Sequence, residues 1–280
     1  MKDNVMLFQE AAKKWNYSTL FPQNYGKHHI ASVSWGKDSV DMLFEILHLG
    51  WPLHEVAFYD TGMEFAGLYA VRDKLLPMLN ENNIKYTELR PNADFEWLMF
   101  EKPVNVGREN FHYGYSWCGG RCRWGTTEKL MAMDRYAESL NAIVYIGIAV
   151  DEVERTQKER KGYKILPLDI LGITEAEALE RCYEHGIDWM HNGVKLYDIL
   201  DRVSCWCCGN KNLKELKNIY RFLPDVWSEL KRLQGRTARP MKGEGKSVFQ
   251  LEERFAAEIK AEEEKKKVEG EQLMFASFSA

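Results

Sequence analysis

A glycine and a lysine lie between two serines in the stretch SVSWGKDS, residues 32–39. An apolar run with β-branched residues, 29–33, precedes this stretch, and apolar residues at helical spacing follow it. A turn between a strand and a helix can bind an anion, because glycine lets the backbone come close and the free N–H groups of the helix start point at the ligand. Lys37 adds a positive charge, and Ser34 and Ser39 offer hydroxyl groups. These residue types predict a phosphate-binding loop.

The loop is not of the common Walker type, which requires Gly-x-x-x-x-Gly-Lys-Ser/Thr. Ala31 stands five residues before Gly36, and Asp38 follows Lys37. Both positions depart from the Walker motif. The sequence thus indicates a phosphate loop of another type, and the alternative is an ordinary strand-to-helix turn with a chance Gly-Lys pair.

Five of the six cysteines lie in two short stretches, SWCGGRCRW (116–124) and SCWCCGN (204–210). A Cys-x3-Cys pair followed much later by a Cys-x2-Cys pair is typical of a metal site. Four thiolates suit Zn²⁺ or an iron–sulfur cluster, and the alternative is a set of cysteines without a metal. Cys207 is the alternate ligand or a reactive thiol, and Cys182 is a core residue. The predicted ligands are Cys118, Cys122, Cys205 and Cys208.

Strand and helix patterns alternate along the chain. Apolar runs predict strands at 29–33, 55–59, 84–89 and 142–149, and helical spacing occurs at 40–49, 65–80, 175–186 and 212–233. This alternation predicts an α/β fold whose parallel sheet has helices on both faces. Ligands bind at the carboxyl ends of the strands in such sheets. SVSWGKDS and the later DTG of 60–62 both follow a strand directly.

The composition is that of a globular protein outside the membrane. The chain has 280 residues, of which 29% are charged, and a net charge of −4. No run of about 18 apolar residues and no signal-peptide pattern occurs, so we expect a cytoplasmic protein without a membrane partner. Lysine and arginine cluster in 211–246, where a solvated helical face is favoured over a nucleic-acid surface.

The predicted organisation has four parts. They are an N-terminal helical segment (1–27), a phosphate-binding domain (28–200) with a cysteine-bearing insertion (92–127), a cysteine-containing helical region (201–250), and a charged helix with a loose tail (251–280).

Four stretches, in this order, resemble the phosphoadenosine phosphosulfate (PAPS) reductase family of the PP-loop ATP pyrophosphatase superfamily. SVSWGKDSVDML (32–43) is similar to the family's Ser-x-Gly-Lys-Asp-Ser loop, and FYDTGMEF (58–65) to its Asp-Thr-Gly loop. YIGIAVDEVERT (145–156) resembles the Gly-x-Arg segment with its later glutamate and arginine. ILPLDILGITEAEAL (165–179) resembles an apolar-Pro-Leu stretch followed by a helix with a Thr-x-x-Glu cap. The resemblance covers roughly residues 28–235.

The resemblance implies an adenine nucleotide alpha-hydrolase-like, Rossmann-like fold and a loop that binds nucleotide phosphates. The catalytic candidates are Lys37, Asp38 and Asp60. The family's arginine in Gly-x-Arg is Ala149 here, so one phosphate or sulfate contact is missing or comes from elsewhere, with Arg121 and Arg123 as candidates. The implied nucleotide-binding residues are Ser32, Ser34, Trp35, Gly36, Lys37, Asp38, Ser39, Asp60, Thr61, Gly62, Gly147, Glu152 and Arg155.

The implied function is cleavage of ATP between the α- and β-phosphates, which activates or thiolates a substrate with the help of Mg²⁺. Because some relatives carry a [4Fe-4S] cluster, the cluster is favoured over Zn²⁺. The expected partners are an adenine nucleotide, a nucleic-acid or protein acceptor, and a sulfur-donor protein; a homodimer is left open.

Two alternatives belong to other classes of function. The first is a sulfonucleotide reductase that releases sulfite from PAPS, which the resemblance ties to a mobile cysteine near the C-terminus. No cysteine follows Cys208, and this disfavours the reductase. The second is a nucleotide-binding partner protein without catalysis.

Overall fold

A computed structural model describes residues 14–118 and 120–278 of the chain, without the side chains of Trp124 and 269–278. Residues 1–13 of the N-terminal segment that the sequence predicts as helical lie outside the described residues. The protein is of the α/β class, as predicted, with a five-stranded parallel sheet. Whether it belongs to the adenine nucleotide alpha-hydrolase class stays a prediction.

The four predicted strands are present in the main sheet, and the structure adds five two-residue strands that the sequence analysis does not predict. The nine strands of the described residues are β1 (His29–Ser32), β2 (Glu55–Tyr59), β3 (Lys85–Leu89), β4 (Pro103–Val104), β5 (His112–Tyr113), β6 (Ile143–Ile146), β7 (Lys164–Ile165), β8 (Met190–His191) and β9 (Val194–Lys195). The main sheet has the order β3-β2-β1-β6-β7, and β4–β5 and β8–β9 form two small antiparallel pairs. All residues of β2 are buried. Because neighbours along a strand point to opposite faces, both faces of the sheet are covered.

The helices predicted at 40–49, 65–80 and 175–186 are present with shifted ends, and several others, among them Glu128–Ser139, are not predicted. The helices of the described residues are α1 (Tyr17–Leu20), α2 (Lys37–His48), α3 (Ala66–Glu81), α4 (Glu128–Ser139), α5 (Val153–Thr156), α6 (Pro167–Leu171), α7 (Glu175–Glu184), α8 (Leu196–Ile199), α9 (Leu213–Phe222), α10 (Pro224–Gly235) and α11 (Val248–Phe278). The single helix predicted for 212–233 is two helices, because Pro224 lacks an N–H group and instead begins a new helix. The helix α11 includes most of the stretch that the sequence predicts as a loose tail.

The predicted insertion, 92–127, contains short elements instead of a purely irregular chain. Besides β4 and β5 it holds two π-helical turns, Trp97–Glu101 and Arg123–Thr127. Among the described residues no helix is both long enough and apolar enough to cross a membrane.

The order of the strands creates a switch point at β1. The chain proceeds from β1 to β2 and β3 on one side, and then returns to β6 and β7 on the other side. Loops that follow β1 and β6 therefore leave the sheet next to each other at its carboxyl edge, where open α/β sheets bind ligands. The predicted phosphate loop follows β1, and the segment from Gly147 follows β6.

The chain divides into two compact units. The first contains the residues up to Phe95, Cys122–Asp198 and Arg202–Trp206, and therefore the parallel sheet. The second contains Glu96–Arg121, Ile199–Asp201 and the chain from Cys207 onwards.

Within the second unit, part of the basic stretch 211–246 is paired with acidic side chains. The ion pairs are Lys217 with Glu258 and Glu262, Lys231 with Glu252, and Arg232 and Arg236 with Glu96. Surface ion pairs add little stability, but they neutralise charge that a nucleic-acid surface needs. This pairing agrees with the solvated helical face that the sequence favours.

Within the first unit, a carboxylate is buried in the helix that follows the phosphate loop. Asp41 of α2 is 1% exposed, and no hydrogen-bond partner for either of its carboxylate oxygens occurs in the part of the chain that the structure describes. The pKa of Asp41 is raised to about 7, mainly by burial and also by the nearby Glu45, while Arg181 of α7 opposes the shift.

We predict that Asp41→Asn changes the pH dependence of stability. The pKa of Asp41 is higher in the folded protein than in the unfolded chain, so the folded state binds more protons between about pH 4 and pH 7. Wild-type stability that depends on this proton is therefore lost as the pH rises through that window. The free energy of unfolding of the variant minus that of wild type should therefore rise with pH across this window, by at most about 1.4 kcal/mol per pH unit.

Urea unfolding between pH 4 and pH 8 measures this gain. Asp73→Asn, at an exposed position of α3, is the matched control and should run parallel to wild type. Parallel curves for Asp41→Asn and wild type would contradict the prediction.

Candidate functional site

The phosphate loop has an unusual backbone that a distant side chain holds in place. Trp35 has a φ of 62°, in the left-handed region that residues other than glycine rarely adopt. Its carbonyl oxygen accepts a hydrogen bond of 2.6 Å from the indole N–H of Trp189. Both side chains are fully buried. The stretch around Trp189, which the sequence does not connect with the loop, therefore supports its turn.

The serines of the loop bind the loop itself. Ser39 Oγ donates to the carbonyl oxygen of Gly36 at 2.9 Å and accepts the backbone N–H of Ser34 at 3.1 Å. The two hydroxyl oxygens of Ser34 and Ser39 are 3.3 Å apart. The residue at the N-cap of α2 is Gly36, which has no side chain to cap the helix. The serine hydroxyls thus shape the turn, and the helix start depends on other groups for its N–H bonds.

Three carboxylates surround the lysine of the loop. Lys37 is 6% exposed, and its Nζ is 2.7 Å from Asp38 Oδ1 and 3.0 Å from Glu175 Oε1. One oxygen of each of Asp38, Glu152 and Glu175 lies within 4.8 Å of the others. Burial raises the pKa of Asp38, and the ammonium group of Lys37 opposes the shift. A cluster of carboxylate oxygens in this arrangement can bind a divalent cation.

Glu152 is the most buried member of this carboxylate cluster. Its Oε2 is paired with Arg155 and lies 3.6 Å from Arg202. Its Oε1 is buried and has no hydrogen-bond partner among the residues described. An unpaired buried carboxylate oxygen is costly in free energy, so a ligand or a cation at this oxygen would stabilise it.

Glu175 is a site residue that the sequence prediction omits. It is the first residue of α7, directly after the N-cap Thr174. The predicted Thr-x-x-Glu cap is confirmed, since Thr174 and Glu177 form a complete capping box. The same signal could have identified Glu175, because a helix start at the carboxyl edge of the sheet directs its first residues toward the crevice.

Gly147 lies where the end of β6 meets the start of α2. A Cβ atom at this position would come within 2.7 Å of the carbonyl oxygen of Asp38 and 2.9 Å of the Cα of Ser39. Only glycine permits this approach of two backbones. The contact brings the third predicted segment, with Glu152, next to the phosphate loop. Ser32 lies at the end of β1 and pairs with Ile146 of β6 in the same register.

The second predicted loop, 60–62, has its own internal bonds. Asp60 is buried, and its Oδ1 accepts the backbone N–H of Gly62 at 2.8 Å and the hydroxyl of Tyr69 at 2.6 Å. Gly62 has a φ of 74°, which favours glycine. Thr61 Oγ1 donates to Glu64 at 3.2 Å. Asp60 therefore supports the turn with one oxygen, while its Oδ2 lies 3.9 Å from Arg90.

Two partly buried side chains of opposite charge, Glu64 and Lys129, lie between this loop and the third segment. Burial raises the pKa of Glu64, and the positive charge of Lys129 on α4 opposes the shift. Burial lowers the pKa of Lys129, and its neighbour Arg155 lowers it further. Lys129 is thus close enough to interact with Glu64 on one side and with Arg155 on the other.

Two of the four predicted metal ligands belong to each unit. In the first unit, the thiol of Cys205 donates to Glu64 Oε1 at 3.5 Å, and Cys122 Sγ accepts the backbone N–H of Gly125 at 3.3 Å. In the second unit, a Cβ atom at Gly209 would come within 2.8 Å of the carbonyl oxygen of Cys118. Cys208 is partly exposed, and the alternate ligand Cys207 is buried. The ligand set stays a prediction.

Cys182 is a core residue, as the sequence predicts. It is fully buried in α7, and its thiol donates to the carbonyl oxygen of Lys37 at 3.5 Å.

Ala149 stands where the resembled family has an arginine, and the structure places another arginine, which the sequence analysis does not consider, near the site. Arg202 lies beside Glu152, in the first unit, and can supply a positive charge there.

Comparison with known proteins adds no family to this picture. Neither the protein-family models nor the curated proteins compared with the chain include a match. The α/β class therefore follows from the structure, and any function has to be argued from the site.

We predict that Gly147→Ala destabilises the protein. The added methyl group overlaps the backbone of Asp38, so β6 or α2 has to move, which costs about 1–3 kcal/mol of the free energy of unfolding. Urea unfolding measures the loss. Gly162→Ala is the control, because a Cβ atom there meets no atom of the described residues within 4 Å. Equal stability of the two variants would show that the backbone contact is not tight.

Proposed function

We propose that the protein is a PP-loop enzyme of the PAPS reductase type that binds ATP at the loop 34–39 and cleaves it between the α- and β-phosphates. One observation carries the proposal. The buried ammonium group of Lys37, at the start of α2, lies beside the carboxylates of Asp38, Glu152 and Glu175 at the switch point of a parallel sheet. This is the set of charges that binding and cleaving a polyphosphate with a metal ion requires.

The charged side chains of the candidate site form hydrogen bonds with one another. Lys37 binds two carboxylates, and on binding of a nucleotide its ammonium group exchanges them for phosphate oxygens. The leaving pyrophosphate is then stabilised by Lys37 and by the N-terminal end of α2. Asp38 and Glu175 then lose the lysine and, together with the nearby Glu152, need another cation.

Mg²⁺ fits this requirement. It prefers oxygen ligands and is commonly bound by a few carboxylates together with substrate phosphates. Asp38, Glu152 and Glu175 would hold it. The buried Oε1 of Glu152 accepts no hydrogen bond from the described residues and is available as a ligand. When bound, the ion offsets negative charge on the phosphate oxygens. The catalytic assignment therefore favours Lys37 and Asp38, while one oxygen of Asp60 is engaged by its own loop.

The products of ATP test the proposal. With ATP labelled at the α-phosphate, and with total tRNA, DNA or sulfide as candidate acceptors, the wild-type protein should form AMP and pyrophosphate. Lys37→Ala should lower the rate by about 100-fold or more, because it removes a group that stabilises the leaving charge. Lys158→Ala, at an exposed position of the first unit, is the control and should keep full activity.

The product pattern separates the alternatives. Formation of ADP and phosphate, or no nucleotide turnover with any of these acceptors, would contradict the proposal. Sulfite release from PAPS with a thiol reductant would support the reductase instead.

We predict that Glu152→Gln and Glu175→Gln weaken the binding of a divalent cation. Each variant keeps the size of the side chain and removes a negative charge, so we expect about tenfold weaker binding, close to 1.4 kcal/mol. Titration with Mn²⁺, followed by electron paramagnetic resonance, measures this affinity without any turnover. Glu180→Gln, at an exposed position of the same helix, is the matched control. Unchanged Mn²⁺ affinity in both site variants would rule out the carboxylate cluster as the metal site.

A further inference from the structure

A tyrosine hydroxyl lies at the helix start that forms the phosphate loop. The backbone N–H of Lys37 donates to Tyr197 Oη at 2.9 Å. A Cβ atom at Gly36 would come within 3.3 Å of the same oxygen. Tyr197 belongs to α8, and no sequence pattern connects it with the loop. It is therefore a candidate for a role that neither the motifs nor the proposed function assigns.

Packing holds this tyrosine against the loop. Its ring meets the ring of Trp189 edge to face, with 4.8 Å between the centroids and 86° between the planes. The indole of Trp189 in turn donates to the carbonyl oxygen of Trp35. The hairpin between these two residues is also held, because a Cβ atom at Gly67 would come within 2.8 Å of the carbonyl oxygen of Met190. Movement of the hydroxyl away from the loop would break up this packing.

The hydroxyl still has a hydrogen to donate. A phenol accepts and donates hydrogen bonds, and Tyr197 accepts one from Lys37. Within the described part of the chain, its own hydrogen has no acceptor. Burial raises the pKa of Tyr197, so the hydroxyl keeps its proton at neutral pH. A hydroxyl that accepts a bond from the positive end of a helix also becomes a stronger donor.

We infer that the Tyr197 hydroxyl donates a hydrogen bond to a phosphate oxygen of the nucleotide bound at the loop 34–39. The N–H of Lys37 at the start of α2 then acts on the phosphate indirectly, because it donates to the phenol oxygen and the phenol donates to the phosphate. This inference rests on the proposed function, because it needs a polyphosphate at that loop. It adds a neutral donor beside the charged groups of Lys37, Asp38 and Glu175.

A competing role for the same contact gives the opposite result. If the hydroxyl only occupied the place of a phosphate oxygen, it would have to leave before the ligand binds. Removal of the hydroxyl would then free the N–H of Lys37 and strengthen binding. The edge-to-face packing on Trp189 favours the donor role, because a hydroxyl that only occupied the phosphate position would have to move away before the ligand binds.

Calorimetric titration with inorganic pyrophosphate and with the α,β-methylene analogue of ATP tests the inference. Tyr197→Phe keeps the ring and its packing, and it should bind both probes about tenfold more weakly than wild type, as for the loss of a hydrogen bond to a charged group. Tyr163→Phe, which removes a hydroxyl beside Glu138, is the control and should bind like wild type. Equal or tighter binding by Tyr197→Phe would overturn the inference.

A Lys37→Ala arm separates this inference from the proposed function. If wild type binds the probes and Lys37→Ala does not, while Tyr197→Phe binds as well as wild type, only the role of the tyrosine fails. If wild type binds neither probe, both ideas fail.

A measurement on the unsubstituted protein supplements the binding data. With tyrosine labelled with ¹³C at Cζ, the resonance that Tyr197→Phe removes should shift when pyrophosphate is added to wild type. A resonance that does not move would also overturn the inference.

Discussion

The backbone contact between Gly147 and the first turn of α2 is the constraint on which the candidate site depends. Without a side chain at Gly147, the end of β6 lies directly against the carbonyl group of Asp38. This approach places Glu152, five residues further along the chain, beside Asp38. The strand order alone brings the two loops to the same edge, but it does not bring them into contact. The charge cluster therefore follows from a backbone distance that only glycine allows.

The charges of the candidate site lie in pairs of opposite sign. Lys37 is bound by Asp38 and Glu175, and Glu152 is bound by Arg155. The polyphosphate and the metal ion of the proposed function would replace these partners without leaving a buried charge alone. In the second unit, several lysines and arginines of the basic stretch, such as Lys217, Lys231 and Arg232, are paired with surface acids.

The sequence predicts what depends on local patterns and misses what depends on distant contacts. The apolar runs predict four of the five parallel strands, and the Thr-x-x-Glu pattern predicts the cap at Thr174, whereas the two-residue strand β7 is too short to show a pattern. The break at Pro224 is readable too, although the apolar spacing predicts a single helix over 212–233. The left-handed backbone of Trp35 and the contact of Tyr197 were not readable, because both partners of each contact are far apart in sequence. Burial of Asp41 escaped prediction since an acidic residue in an amphipathic helix ordinarily faces water.

The hydrogen bonds from Trp189 and Tyr197 to the predicted phosphate loop have a consequence for folding during synthesis. The indole that holds the Trp35 carbonyl comes from a residue 154 positions later, and the hydroxyl at Lys37 comes from one 160 positions later. On the ribosome, β1 and α2 emerge long before these two groups exist. The loop can take up its final backbone only when the chain beyond Tyr197 has been synthesised. Nascent chains shorter than this contain the motif without the two groups that hold its backbone.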